Sequence, residues 1–181
     1  MAFAQGTGPA PGAAGGGGST YAPKMVAVPD TRDPVAARPL SDQDRSFIET
    51  AAARSAAAIS MAQLAMTRSS NPEVRTLAEA QLREHTRMLD ELKQLAERKE
   101  MTLSSDLTAE QKSSILGMHM LRGDEFDRAY TAAVRENQRE AMDRLEEQRD
   151  KGSNILVRSY AAKNYMALKR LGEEEKLPKA E

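Results

Sequence analysis

The sequence predicts an all-α protein, an up-down-up-down four-helix bundle with a short extra helix in the crossover between the second and third long helices, preceded by a disordered N-terminal arm. Three observations carry this. The apolar residues are mostly Ala, Leu and Met, with three Phe, four Tyr and no Trp, which is a helix former's palette. From Ser41 onward, apolar residues recur at three- and four-residue steps between recognisable caps. No β-branched run or alternating pattern competes with that reading.

Residues 1–40 are dominated by Gly, Pro and Ala, with the run Gly15 to Gly18 and prolines at 9, 11, 23, 29, 34 and 39. Such a segment buries too little apolar surface to offset its ordering entropy. Within it, Tyr21, Pro23, Met25, Val26, Val28 and Pro29 form a more apolar stretch. Proline holds that stretch extended, making it the arm's best docking segment.

The bundle is expected over residues 41–176, with 177–181 as a short tail. Ser41 offers an N-cap hydroxyl, and the acidic residues after it complement the helix dipole. The first long helix then runs to about Arg68, with Ile48, Ala51, Ala52, Ser55, Ile59, Ala62 and Met66 inward; so many small side chains predict close helix approach. Asn71 and Pro72 open the second as N-cap and N1. It extends to about Lys99, with Val74, Leu77, Ala78, Leu82, His85, Leu89, Leu92 and Ala96 on one face. Thr108 with Gln111 reads as a capping box for a short helix ending near Leu121, which Gly123 breaks. The third long helix covers about Asp124 to Lys151, marked by Phe126, Tyr130, Ala133, Val134, Asn137, Ala141 and Leu145. Gly152 is its stop and Ser153 the next N-cap. The fourth spans about Asn154 to Glu175, with Ile155, Leu156, Tyr160, Ala162, Met166, Leu168 and Leu171 too broadly spread to define one stripe; Pro178 lies beyond it.

Lys and Arg nearly balance Asp and Glu at a formal net charge of -1, so no basic field attracts a phosphate backbone and nucleic acid is not an expected partner. Charged residues interrupt every apolar run, so no transmembrane segment is expected. The chain has no cysteine, which excludes disulfides, thiolate metal sites and cysteine nucleophiles. Ala2-Phe3-Ala4 has the small-x-small form that precedes a signal-peptidase cut, with Gln5 as the first mature residue. The charged n-region and apolar h-region of a signal peptide are missing, so the match reads either as the remnant of a trimmed signal peptide or as accidental.

Neither histidine stands in a nucleophile motif, and Gly15 to Gly18 lacks the strand and the Gly-Lys-Ser/Thr of a phosphate loop. No catalytic residue and no cofactor are assigned. Glu84, His85 and His119 are the weak metal-ligand candidates. Glu84 and His85 are adjacent, hence about 100° apart on a helix, which prevents chelation of one ion. Met118-His119-Met120 offers soft donors, but a helix separates them; gap-filling methionines are the simpler reading. His85 is expected to meet a carboxylate or Asn137 across the core.

Asn71-Pro72-Glu73-Val74-Arg75, Ala78, Glu84-His85, Phe126-Asp127-x-x-Tyr130 and Ala161-Ala162-Lys163 together resemble the bacterial exported ferritin-like family known as domain of unknown function 4142, over about residues 41–175. The resemblance implies a ferritin-like bundle and an exported protein. It also implies inward carboxylates and histidines, and here those positions hold Ala58, Ser60, Asn137 and Leu171, so that Glu84 and His85 alone match. A ferritin-like dinuclear site needs Glu-x-x-His on two helices, and the sequence has none. The expected function is therefore a non-catalytic, exported, periplasmic accessory or interaction subunit of a larger periplasmic or membrane-associated complex, docking through its arm. The alternative is a ferritin-like metal-binding or stress-response periplasmic protein.

Overall fold

Five helices account for the regular structure of the described residues: α1 (Asp42–Arg68), α2 (Pro72–Arg98), α3 (Ala109–Met120), α4 (Gly123–Lys151) and α5 (Ile155–Glu174). The computed structural model describes residues 38–104 and 106–174. The docking segment from Tyr21 to Pro29, nearly all of the arm and the tail lie outside the described residues.

The helix boundaries follow from local chemistry. Ser41 Oγ accepts from the Asp44 backbone N–H at 3.1 Å while the Asp44 carboxylate accepts from the Ser41 N–H at 3.2 Å, a reciprocal cap that satisfies two otherwise orphaned donors. Asn71 Oδ1 accepts from the Glu73 N–H at 2.9 Å, and Pro72 occupies the first turn, where its missing N–H costs nothing. Thr108 and Gln111 form the second capping box. Gly123 has φ +52°, a left-handed conformation that separates α3 from α4 and that a side chain would strain.

At the start of α5 the expectation is corrected. The cap is Asn154, whose Oδ1 accepts from the Leu156 N–H at 3.0 Å; the Ser153 N–H is directed to Asp44. A one-residue shift in the α4–α5 turn makes the difference, because tertiary contact with Asp44 fixes it.

α1 packs most extensively on α2, and α4 on α5; α1 also meets α4, and α2 meets α5. Around the bundle the order is thus α1, α2, α5, α4. At the base, Asp44 in the first turn of α1 contacts Gln148 in the last turn of α4 and the backbone of Ser153 and Asn154. At the head, Ala62 and Ala65 near the end of α1 pack with Val74 and Leu77 at the start of α2 and with Phe126 and Tyr130 at the start of α4.

The four-helix bundle and its extra helix are found as expected, with one correction in sense. α4 runs antiparallel to α1 and parallel to α2, giving up-down-down-up. The segment from Lys99 to Arg122 therefore climbs from base to head, with Met101 in the basal core and Met118 in the upper one. Such a single long crossover distinguishes ferritin-like bundles from simple alternating ones.

The base is locked by a buried carboxylate. Asp44 is 0% exposed and accepts from Gln148 Nε2 at 2.6 Å, Ser41 Oγ at 2.8 Å and the Ser153 and Asn154 N–H groups at 3.2 Å each. A buried carboxylate is tolerated only when its lone pairs are satisfied in this way. The last residues assigned to the arm also belong here: Leu40 is buried in the basal core, and the Arg38 carbonyl accepts from Asn154 Nδ2 at 2.8 Å and Lys99 Nζ at 3.0 Å.

α5 does have one stripe, made of Leu156, Val157, Tyr160, Ala161, Asn164, Ala167 and Leu168. It was hidden in the sequence because a polar residue sits at its centre, while the apolar Met166 is 61% exposed.

Candidate functional site

Small residues face each other where α1 passes α4, with Ala51 and Ser55 on one side and Ala141 on the other, and between them lies a cavity of about 280 Å³. Close approach was expected of the Ala-rich helix; along this seam the small side chains instead leave space. α2 closes the cavity from behind with His85 and Met88, Leu145 and Phe47 supply apolar wall, and Arg54, Arg144 and Lys151 stand among its lining residues.

His85 is buried, and its Nδ1 has no hydrogen-bond partner. Burial lowers its pKa to about 4, against a smaller opposing influence from Glu84. The ring is neutral at pH 7, so one nitrogen donates and the other accepts. Arg54 pairs with Glu140 across the seam, yet its Nε is likewise buried without a partner. Lys151 is neutralised by Glu147 at 3.2 Å, whereas Arg144 is exposed and makes no ion pair among the described residues.

Neither expected partner reaches His85. Asn137 is half-buried, and the adjacent Gln138 turns inward instead, donating Nε2 to the Leu168 carbonyl at 2.9 Å. Gly172 makes room for that bond, since a Cβ there would lie 2.5 Å from Gln138 Nε2. Leu171 and Ser60 are half-buried and Ala58 is buried, with the Ser60 hydroxyl donating to the Ala56 carbonyl at 3.0 Å.

The three metal-ligand candidates are dispersed. Glu84 is bound to Arg87 in a network that faces α5, where Arg87 also donates to Glu91 at 2.5 Å and to Asn164 Oδ1 at 2.8 Å. Burial would push Glu91 up, but its hydrogen bonds from Lys163 and Arg87 hold it below the usual carboxylate value. His119 lies at the exposed end of α3, where its carbonyl accepts from Arg68 Nη1 at 2.9 Å. Met118 is buried while Met120 is 78% exposed, so the Met-His-Met run points several ways. Among the described residues, no group of three or more His, Asp or Glu could hold a metal ion.

Two features escaped the sequence reading. One is the cavity beside Arg54 and Arg144, for which the small residues at Ala51, Ser55 and Ala141 were the available signal. The outer face of α3 is the other: it buries Met118 alone and leaves Leu116 65% and Met120 78% exposed, one turn apart.

The family described as Domain of unknown function (DUF4142) matches residues 30–176. Among solved structures, a DUF305 fragment from Deinococcus radiodurans is similar at TM-score 0.68 and 14% identity, over 77% of this chain and 96% of that one. A candidate spore coat protein from Bacillus halodurans C-125 is similar at TM-score 0.63 and 12% identity, over 78% of this chain and 89% of that one. At such identities the likeness speaks for the fold alone. No curated protein matches the chain.

Proposed function

The chain belongs to the DUF4142 family, and from that premise we propose that it is a non-catalytic, exported helical-bundle protein that serves as an accessory or interaction subunit of a larger periplasmic or membrane-associated complex. The observation that carries this reading is the outer face of α3. A helix of 12 residues that buries one side chain and exposes Leu116 and Met120 one turn apart offers apolar surface whose burial a protein partner would gain. The apolar stretch around Tyr21 to Pro29 supplies a second docking element, since an extended arm can wrap a surface and order on binding. No helix among the described residues is long and apolar enough to cross a membrane, which suits attachment through a partner.

The metal-binding alternative gains nothing from the geometry, because Glu84, His85 and His119 serve three separate environments. The test is co-purification from native membranes followed by mass spectrometry, with a Leu116→Glu/Met120→Glu variant beside the parent. The parent should retain a defined partner, and the variant should lose it with an unchanged circular dichroism spectrum and melting temperature. Recovery of the parent alone in mild detergent would sink the proposal, as would stoichiometric iron, copper, zinc or manganese in untagged protein.

A further inference from the structure

Along the lower half of the bundle, the seam between α1 and α4 is left uncovered among the described residues. α3 packs on both helices higher up, where Met118 joins the upper core, and contributes no residue to the cavity below. The inner wall of that cavity is apolar, with Phe47 and Ala51 from α1, Met88 from α2, and Ala141 and Leu145 from α4. His85 and Arg54 border it too, but His85 Nδ1 and Arg54 Nε are shut off from solvent and are not offered to an occupant. The Gln148 carboxamide is spent on Asp44, to which it donates at 2.6 Å. What the interior offers is therefore burial of hydrocarbon.

The rim is charged, and its charges cancel all but one. Arg54 pairs with Glu140, and Lys151 with Glu147 at 3.2 Å, which leaves Arg144 exposed and without an ion pair among the described residues. An apolar space beneath one free cation is complementary to a molecule with a hydrocarbon body and a single anionic head. The cavity of about 280 Å³ holds roughly nine heavy atoms, at about 30 Å³ for each water-sized group.

We propose that this cavity binds a free alkyl monocarboxylate of about eight carbons, with its chain laid between α1 and α4 and its carboxylate at Arg144. Chain burial supplies most of the affinity, because apolar area leaves water along the whole chain, whereas an ion pair at an exposed arginine adds little.

The probes are the straight-chain carboxylates from butanoate to dodecanoate, titrated as monomers into the full chain by calorimetry and by NMR of the histidine ring protons. Each added methylene should tighten one-to-one binding about fourfold up to about eight carbons, and further methylenes should add nothing. Octanoate should move the signals of His85, which lines the cavity, and leave those of His119 in place. Octanol and octanoyl lysophosphatidylglycerol, which carry the same chain without a free carboxylate, should each bind about fivefold more weakly than octanoate. Arg144→Gln should remove that preference while keeping both the melting temperature and the gain per methylene. Ala141→Leu adds three carbons to the space and should bring the plateau down to about five carbons. Absence of saturable binding would leave the space to water, to the chain's own arm or to a second copy, and would overturn the proposal. So would an affinity that keeps rising to dodecanoate, tighter binding of the lysolipid, a carboxylate preference that survives Arg144→Gln, or movement of the His119 signals instead. None of these readouts involves Leu116 or Met120, so this site and the docking reading stand or fall separately.

Discussion

At the scale of single residues, His85 makes the sharpest statement about energetics. Its folded pKa of about 4 lies below the ordinary 6.5, so the unfolded chain binds the proton more tightly. The stability this group confers is fully present above about pH 6.5 and is lost as the pH falls toward about 4, a difference of roughly 3 kcal/mol. Glu84 beside it opposes the shift that burial causes. Chemical denaturation of the parent at pH 7 and pH 4.5 should therefore show a steeper loss than in His85→Leu, which cannot take up the proton; equal losses would show that His85 does not titrate in this window. Ala58 gives a second test. It is 5% exposed, so Ala58→Glu forces a carboxylate into the interior of α1 and should destabilise the fold by roughly 1–3 kcal/mol. A change within about 0.5 kcal/mol would mean that the helix rotates to expose it.

At the scale of elements, the end of α2 stores strain that the sequence does not advertise. The Met101 N–H bonds to the Ala96 carbonyl at 2.9 Å and the Glu100 N–H to the Glu97 carbonyl at 3.0 Å, the paired bonds of a Schellman motif. The residue that must turn left-handed is Glu100, with φ 51°, where glycine is usual. Glu100→Gly should raise stability by about 0.5–1 kcal/mol, measured as a higher urea midpoint with an unchanged slope. A lower midpoint would show that the Glu100 side chain contributes more than its backbone strain removes. Gly123 is the converse case: with φ +52°, Gly123→Ala should cost about 1 kcal/mol although no atom lies within 4 Å of the added Cβ.

At the scale of the whole molecule, the base of the bundle is where the start of α1 and the α4–α5 turn are tied together. Deleting residues 1–37 should leave the melting temperature within about 1 °C, because a segment dominated by Gly, Pro and Ala offers little apolar side chain to bury. Extending the deletion through residue 40 should cost several degrees, since Leu40 is buried and two hydrogen bonds go with Arg38. Equal melting temperatures for the two truncations would separate Leu40 from the core. The reversed sense of the second helix pair also belongs to this scale: Asp44 can meet Gln148 and Asn154 only because the crossover brings α4 in at the head and returns it to the base.

The sequence by itself determined the helices, since caps at Ser41, Asn71 and Thr108, Pro72 and the apolar spacing of α2 are local signals, each set by a few neighbouring backbone groups. It also showed His85 facing inward and placed Glu84 and His85 too far apart in angle to share an ion. What only the tertiary structure decided depends on how helices meet. The direction of α4, the inward turn of Gln138 where Asn137 was expected, the true stripe of α5 and the cavity behind Arg54 all follow from pairwise helix packing. A short side chain at Ala51 or Ala141 is equally compatible with close contact and with a gap, and the opposing helix settles which one forms.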